Sequence, residues 1–236
     1  MNNKISIRID GELIPATPGA SLLETALAHG KFIPSLCHMK GLSSVGACRL
    51  CLVEVAGVNR LLPACTTPVQ DGMSVTTQSD KLRRYRKITL ELLFAERNHV
   101  CAVCVSNSHC DLQSLAQRVG VTSVRYPYTF PKVPVDLTHK KFALDQNRCI
   151  LCTRCVRVCA EVEGAHVWAV SSRGVGSRLV CELNRDWGDS RYCTSCGKCV
   201  QSCPTGALAE KGFAVEEMTK RPEPISRLAD LRGVRS

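Results

Sequence analysis

Two runs of four cysteines constrain this 236-residue chain more than any other feature of its sequence. Both runs have the spacing C-x2-C-x2-C-x3-C, and together they hold Cys149, Cys152, Cys155, Cys159, Cys193, Cys196, Cys199 and Cys203. Three thiolates spaced by two residues can reach three corners of one four-iron cubane. The fourth cysteine of each run lies on the turn of helix that follows, so it points away from that cubane.

This repeated spacing is the bacterial ferredoxin pattern, in which the fourth cysteine of one run binds the cluster of the other. We therefore expect one 4Fe-4S cluster on Cys149, Cys152, Cys155 and Cys203, and a second on Cys159, Cys193, Cys196 and Cys199. A zinc ribbon needs two separated C-x2-C pairs, so zinc is disfavoured here. Ala160 stands where a proline is common, although Pro204 keeps the pattern in the second run.

A third set, C-x10-C-x2-C-x13-C, lies near the N-terminus and consists of Cys37, Cys48, Cys51 and Cys65. One cysteine ahead of a close pair, with a fourth further on, predicts a plant-type 2Fe-2S site, although plant ferredoxins have a shorter first gap. Gly46 lets the backbone approach a cluster, and successive amides can bond to its sulfides. A structural zinc site is the alternative.

A fourth set contains Cys101, Cys104 and Cys110, and three cysteines leave one corner of a cubane without a ligand. His99 is the nearest candidate, whereas His109 adjoins Cys110, and chain neighbours rarely turn to the same iron. We predict a 4Fe-4S cluster on His99, Cys101, Cys104 and Cys110. The four sets use fifteen of the sixteen cysteines, and the remaining one, Cys181, is expected to be a small buried apolar residue.

Turn and helix signals predict an α+β chain in five segments. Residues 1–78 are expected to form a 2Fe-2S ferredoxin-type domain with a hairpin at Asp10-Gly11 and a helix over about 21–29. Residues 79–120 are expected to be helical, with the basic run 81–87 on a solvated face. Residues 121–140 hold three prolines and predict a linker, 141–210 form the double 4Fe-4S domain, and 211–236 are a tail that docks on a partner or is loosely ordered.

Composition limits the class of protein. Sixteen cysteines with only 5% aromatic residues suggest that metal replaces part of the core. The N-terminus lacks the apolar stretch of a signal peptide, and no apolar run is long enough to span a bilayer, so we expect a cytoplasmic protein that binds metal rather than forming disulfides. The net charge of +10 would fit a nucleic-acid-binding protein, whereas the cysteine pattern indicates metal clusters.

The order of these sites resembles the N-terminal half of the large iron–sulfur subunit of respiratory NADH dehydrogenase and the front end of iron-only hydrogenases. It resembles most closely the diaphorase small subunits of soluble NAD-reducing nickel–iron hydrogenases, which are similar in extent. The resemblance covers roughly residues 1–210 and rests on the spacing of the 2Fe-2S set, on NHVCAVC at residues 98–104 with CDLQ at 110–113, and on LDQNRCILCTRC at 144–155. Only Val100 separates His99 from the first cysteine, where the respiratory family has three residues.

The resemblance implies an N-terminal β-grasp domain, a small helical domain with the histidine-ligated cluster, and a bacterial-type double ferredoxin domain. It implies an electron-transfer subunit without catalytic residues that relays electrons for the reaction H2 + NAD+ to NADH + H+. The implied partners are a flavin- and NAD-binding diaphorase subunit and the small and large nickel–iron hydrogenase subunits, which would carry FMN, NAD and nickel.

The sequence is also compatible with other functions. An NAD-dependent formate dehydrogenase or an NADH:quinone-type enzyme is the alternative, and a zinc-binding nucleic-acid or scaffold protein is a distant one. Four clusters would carry roughly −7 in total, which lowers the net charge of the loaded protein to about +3. The basic composition then gives little support to nucleic-acid binding.

Overall fold

The computed structural model describes residues 5–233, which divide into two compact units of mixed α and β structure. The first unit takes the chain up to His38 and then Ser44–Thr89, and the second takes Met39–Ser43 and the chain from Leu90 onward. The start of the predicted 1–78 domain and the end of the predicted tail lie outside the described residues. No helix within residues 5–233 has the length and apolar character needed to cross a bilayer.

The first unit is built on a five-stranded sheet of order β2-β1-β5-β3-β4, in which only the β1–β5 pair is parallel. Its strands are β1 (Ile5–Ile9), β2 (Glu12–Ala16), β3 (Leu52–Val55), β4 (Leu62–Pro63) and β5 (Ser74–Thr76). Asp10 and Gly11 have φ of 50° and 85°, which makes the predicted hairpin turn between β1 and β2. The Asp10 carboxylate also accepts hydrogen bonds from the Thr77 backbone N–H and hydroxyl, at 2.7 and 2.5 Å.

Helix α1, Leu22–Ala28, packs against this sheet and begins at the predicted capping box. The Glu24 backbone N–H donates to the Ser21 hydroxyl, which in turn donates to the Glu24 carboxylate. The side chains between helix and sheet form an aliphatic core that includes Ile7, Ile9, Ile14, Leu22, Leu23, Ala26, Val53 and Val75. Burial of these apolar groups stabilises the unit.

Helix α2, Asp80–Glu96, corrects the prediction for the basic run 81–87. Arg83 and Arg84 are exposed as expected, but Arg86 is only 3% exposed. Its Nη2 donates to the Leu52 carbonyl at 3.1 Å. The run is therefore not a uniformly solvated face, because one of its cations is buried and takes part in the tertiary structure.

The second unit contains short elements joined by long loops. Its helices are α3 (Asp111–Val119), α4 (Arg154–Arg157, continued by a π-helix over Val158–Glu163), α5 (Lys198–Ser202) and α6 (Glu223–Leu231). Its strands are β6 (Val135–Asp136), β7 (Phe142–Asp145), β8 (Trp168–Ser171), β9 (Arg178–Cys181) and β10 (Leu208–Glu210). They form an antiparallel β10-β7-β6 sheet and a β8–β9 hairpin.

Two segments predicted to be linker and tail contribute to this unit. Within residues 121–140, β6 pairs with β7 and His139 is buried. Helix α6 packs on the core through Ile225 and Ala229, so the described part of the tail is not loosely ordered. Docking of the tail on a partner stays a prediction. Cys181 is buried in the same core.

Candidate metal centres

The structure brings together the four cysteines predicted to hold a 2Fe-2S cluster, and we call their location the plant-type site. All four are buried in the first unit. The Cys51 and Cys65 sulfurs are 3.4 Å apart, and the side chains of Cys48 and Cys65 hydrogen-bond that of Cys37. The backbone N–H of Leu36 donates to the Cys48 sulfur at 3.4 Å, a kind of bond that stabilises a thiolate ligand.

The chain turns sharply around the cysteines of three loops, each time through residues of positive φ. Leu151 and Thr153 flank Cys152 with φ of 51° and 59°, and Ser195 and Gly197 flank Cys196 in the same way with 54° and 70°. In the plant-type site, Gly46 and Arg49 lie on either side of Cys48 with φ of 63° and 56°. Such turns point successive backbone N–H groups inward and form a concavity suited to an anion.

The cysteines predicted for one 4Fe-4S cluster line a single cavity, the first ferredoxin site. Its lining includes Cys149, Cys152, Cys155 and Cys203. The fourth of these comes from the second run, as the ferredoxin wiring predicts. Burial raises the pKa of Cys149 to about 12 and that of Cys152 to about 11, so iron binding must displace protons from these thiols.

The other four ferredoxin cysteines line a separate cavity, the second ferredoxin site. They are Cys159, Cys193, Cys196 and Cys199. Cys159 reaches this cavity from the π-helix that extends α4, and its sulfur accepts the Val167 backbone N–H at 3.4 Å. Cys196 is solvent-exposed, whereas Cys199 is buried, which raises the pKa of its thiol to about 12.

His99 meets the three cysteines of the fourth set in a third cavity, which we call the histidine site. Cys101, Cys104 and Cys110 line it with His99. The His99 Nε2 is buried and has no hydrogen-bond partner, while the other ring nitrogen hydrogen-bonds the Leu93 backbone. Burial lowers the pKa of His99 to about 4, so the imidazole is neutral and its free nitrogen is available to a metal. His109 is exposed and does not line the cavity.

The donor sets fit iron–sulfur clusters. Three cavities and the plant-type site each gather four side chains of the kinds that bind such clusters. Within residues 5–233, no three His, Cys, Asp or Glu side chains are placed to hold a single metal ion. In a 4Fe-4S cluster, by contrast, each ligand binds its own iron, so the ligand atoms stand apart around the cofactor. In a 2Fe-2S cluster each iron takes two thiolates, which fits the close approach of the Cys51 and Cys65 sulfurs.

Sequence reasoning missed the residues that join two of these sites. Thr205 lines both the first ferredoxin site and the histidine site, and Gly206 lines the latter. Arg148, just before Cys149, also faces the histidine site and pairs with Asp145. In the sequence these residues stand beside cysteines of the ferredoxin runs. That position alone does not show that the first ferredoxin site and the histidine site adjoin.

We expect Gly206→Ala to prevent a cluster from binding at the histidine site. A β-carbon on Gly206 would overlap the Cys104 sulfur, which a metal would hold in place. Iron content should fall from about 14 to about 10 atoms per chain by metal analysis. The matched control is Gly176→Ala, where the nearest atom would lie at an ordinary 3.8 Å. Equal iron in both variants would contradict the prediction.

A β-grasp-like sheet around a cysteine loop, a histidine–cysteine region and a double ferredoxin unit define an iron–sulfur electron-transfer protein. Three family descriptions match successive parts of the chain. Residues 2–80 match a 2Fe-2S iron–sulfur cluster binding domain. Residues 86–125 match the NADH-ubiquinone oxidoreductase-G iron–sulfur binding region, and 140–209 match the ferredoxin-like domain of NADH-quinone oxidoreductase subunit 3.

The similar proteins fall into two groups, according to how much of their length this chain covers. The chain is 38% identical to NADPH-Fe(3+) oxidoreductase subunit alpha of Geobacter sulfurreducens over 209 residues, which are 89% of this chain but 24% of that one. It therefore spans about a quarter of that relative's length. It is 35% identical to NAD-reducing hydrogenase HoxS subunit gamma of Cupriavidus necator over 214 residues, which are 90% of each chain.

A solved structure is also similar to this chain over most of its length. A chain in the crystal structure of an NAD+-reducing [NiFe]-hydrogenase in the H2-reduced state superimposes with a TM-score of 0.83 at 38% identity. The match covers 89% of this chain and 88% of that one. The chain belongs to the family of iron–sulfur electron-transfer subunits that includes the gamma subunit of NAD-reducing hydrogenase.

Proposed function

We propose that this chain is the electron-transfer subunit of a hydrogenase that reduces NAD with H2. It relays electrons between a nickel–iron module, made of a small and a large subunit, and a diaphorase subunit that binds flavin and NAD. The convergence of four donor sets in one chain carries this proposal. Its nearly full-length similarity to HoxS subunit gamma supports the choice of hydrogenase.

We assign one 2Fe-2S cluster to the plant-type site and one 4Fe-4S cluster to each of the other three sites. When bound, such clusters accept and release single electrons with little movement of their ligands. The chain's own side chains fix the position of each cluster and set its potential through ligand charge, hydrogen bonds to sulfur and burial. We propose a cytoplasmic location as well, because free cysteines stay reduced there.

Within the second unit, the arrangement of cavities supports a relay. Thr205 lines both the histidine site and the first ferredoxin site. The two ferredoxin sites share the runs of cysteines, because each run contributes one ligand to the neighbouring site. Electrons can therefore pass between adjoining sites in the second unit without crossing solvent.

Anaerobic purification of the chain with its native partners tests the proposal. Mass spectrometry should identify a flavin-binding subunit and two hydrogenase subunits. Metal analysis should find nickel and more iron than the about 14 atoms that this chain alone would hold, because the nickel–iron centre adds iron. Under H2, the complex should reduce NAD. A complex without nickel would overturn the hydrogenase assignment. It would indicate that the same relay serves a formate dehydrogenase or an NADH:quinone-type enzyme. Subunits of the latter kind match residues 86–125 and 140–209. A colourless protein that contains zinc alone would overturn electron transfer itself.

A further inference from the structure

Both tryptophans of the chain hydrogen-bond cysteines of one site, the second ferredoxin site. The indole Nε1–H of Trp187 donates to the Cys193 sulfur at 3.3 Å. The Trp168 side chain hydrogen-bonds Cys199. Both rings are buried, and they meet edge to face with their centroids 4.8 Å apart. Two of the four proposed ligands therefore accept an N–H bond from a neutral aromatic side chain.

The position of Trp187 is fixed from several directions. Its backbone N–H donates to the Asp136 carboxylate at 2.7 Å, and the next N–H, of Gly188, donates to the Thr138 hydroxyl at 2.8 Å. Gly188 packs so closely that a β-carbon there would lie 2.5 Å from the Thr138 carbonyl oxygen. The rings of His139 and Phe142 lie against the indole, with centroids 4.8 and 5.5 Å away. The N–H group is thus held toward the sulfur before any cluster changes charge.

The first ferredoxin site has a different environment, in which cations bond the backbone carbonyls of lining residues. Arg157 is buried and donates from Nη2 to the Cys152 carbonyl at 3.2 Å. Lys220 donates from Nζ to the carbonyls of Thr205 and Leu208, two residues that line the same cavity as Cys203. At the second site, by contrast, the lining cation Lys198 is paired with Glu163. The two sites therefore differ in the polar side chains around them, because indoles bond the sulfurs of one site and cations bond the backbone of the other.

We propose that the two ferredoxin sites are tuned by different chemistry, so that Trp168 and Trp187 raise the reduction potential of the second site and Lys220 raises that of the first. Reduction adds negative charge to the cluster and its thiolates, and both an N–H donor and a nearby cation stabilise that charge. Loss of either makes reduction of the site concerned less favourable. This inference rests on the proposed function, because it takes clusters at both sites as given.

Redox titration of the anaerobically purified full chain, followed by electron paramagnetic resonance, tests this tuning. Trp187→Phe keeps an aromatic ring but removes the N–H, and should lower the potential of one 4Fe-4S signal by about 59 mV, a tenfold change in a one-electron equilibrium. Trp168→Phe should shift the same signal. Lys220→Met keeps most of the side-chain length and should shift a different signal. Cys196→Ser, which alters an exposed ligand, identifies the signal of the second site.

Iron analysis of each variant separates tuning from loss of a cluster. Unchanged potentials in both tryptophan variants with full iron content would overturn the inference, as would a shift of one common signal by Lys220→Met and Trp187→Phe. If Trp187→Phe loses iron, Trp168→Phe alone decides the outcome. Wild-type protein without two 4Fe-4S signals from the ferredoxin sites would instead contradict the proposed function, so the two failures are distinguishable.

Discussion

Removal of iron is expected to abolish most of the amide-exchange protection in the second unit and much less of it in the first. The helices that carry ferredoxin cysteines are very short, with four residues in α4 and five in α5. Helices of this length are not stable alone in water. Their contacts lie in a core that includes Cys155, Cys159, Cys199 and Cys203, so the proposed clusters serve as the packing material between them.

The first unit has a different basis for stability. Its core consists mainly of aliphatic side chains between α1 and a five-stranded sheet, and this core includes two of the unit's four buried cysteines, Cys51 and Cys65. We expect β1, β2 and α1 to keep their protection after the iron is removed, because burial of Ile7, Ile9 and Leu23 does not depend on metal.

Hydrogen exchange followed by mass spectrometry measures this difference in the full chain before and after anaerobic chelation. A reductant must be present throughout, so that disulfides do not replace the clusters. Peptides from β1 and β2 are the internal control for peptides from α4 and α5. Equal loss of protection in the two units, or none in either, would contradict the prediction.

Cysteine spacing predicted the grouping of side chains well because ligand geometry is largely local. A C-x2-C-x2-C run constrains three sulfurs through only six intervening peptide bonds, and repetition of the run predicts the exchange of Cys159 and Cys203. The structure gathers these sets as expected. Ligation of iron by them stays a prediction.

Features that depend on distant partners could not be predicted in the same way. Arg86 belongs to a run of charges whose pattern gives no sign of the Leu52 carbonyl, 34 positions away. Ile225 and Ala229 lie in a charged, proline-containing tail, yet they complete a core built from other segments. The indole bonds of Trp168 and Trp187 depend on a tertiary arrangement that residue types alone do not specify.

His99 is the proposed ligand with the clearest test of identity, because a second histidine provides a matched control. His99→Ala removes the buried Nε2 from the histidine site, and iron content should fall from about 14 to about 10 atoms per chain. His109→Ala should leave the iron content unchanged, since His109 is exposed and lies outside the cavity, although it adjoins Cys110. The reverse result would reassign the ligand to His109.

His99→Cys tests the chemistry of the same position. A thiolate adds one negative charge relative to the neutral imidazole, so the cluster at the histidine site should be harder to reduce and its potential should fall. In the loaded protein the Nε2 of His99 would be bound to iron and could not take up a proton between pH 6 and pH 8. The fall in potential should therefore be the same at pH 6 and pH 8. A cluster that keeps its iron in His99→Cys and titrates at the wild-type potential would rule out His99 as a ligand.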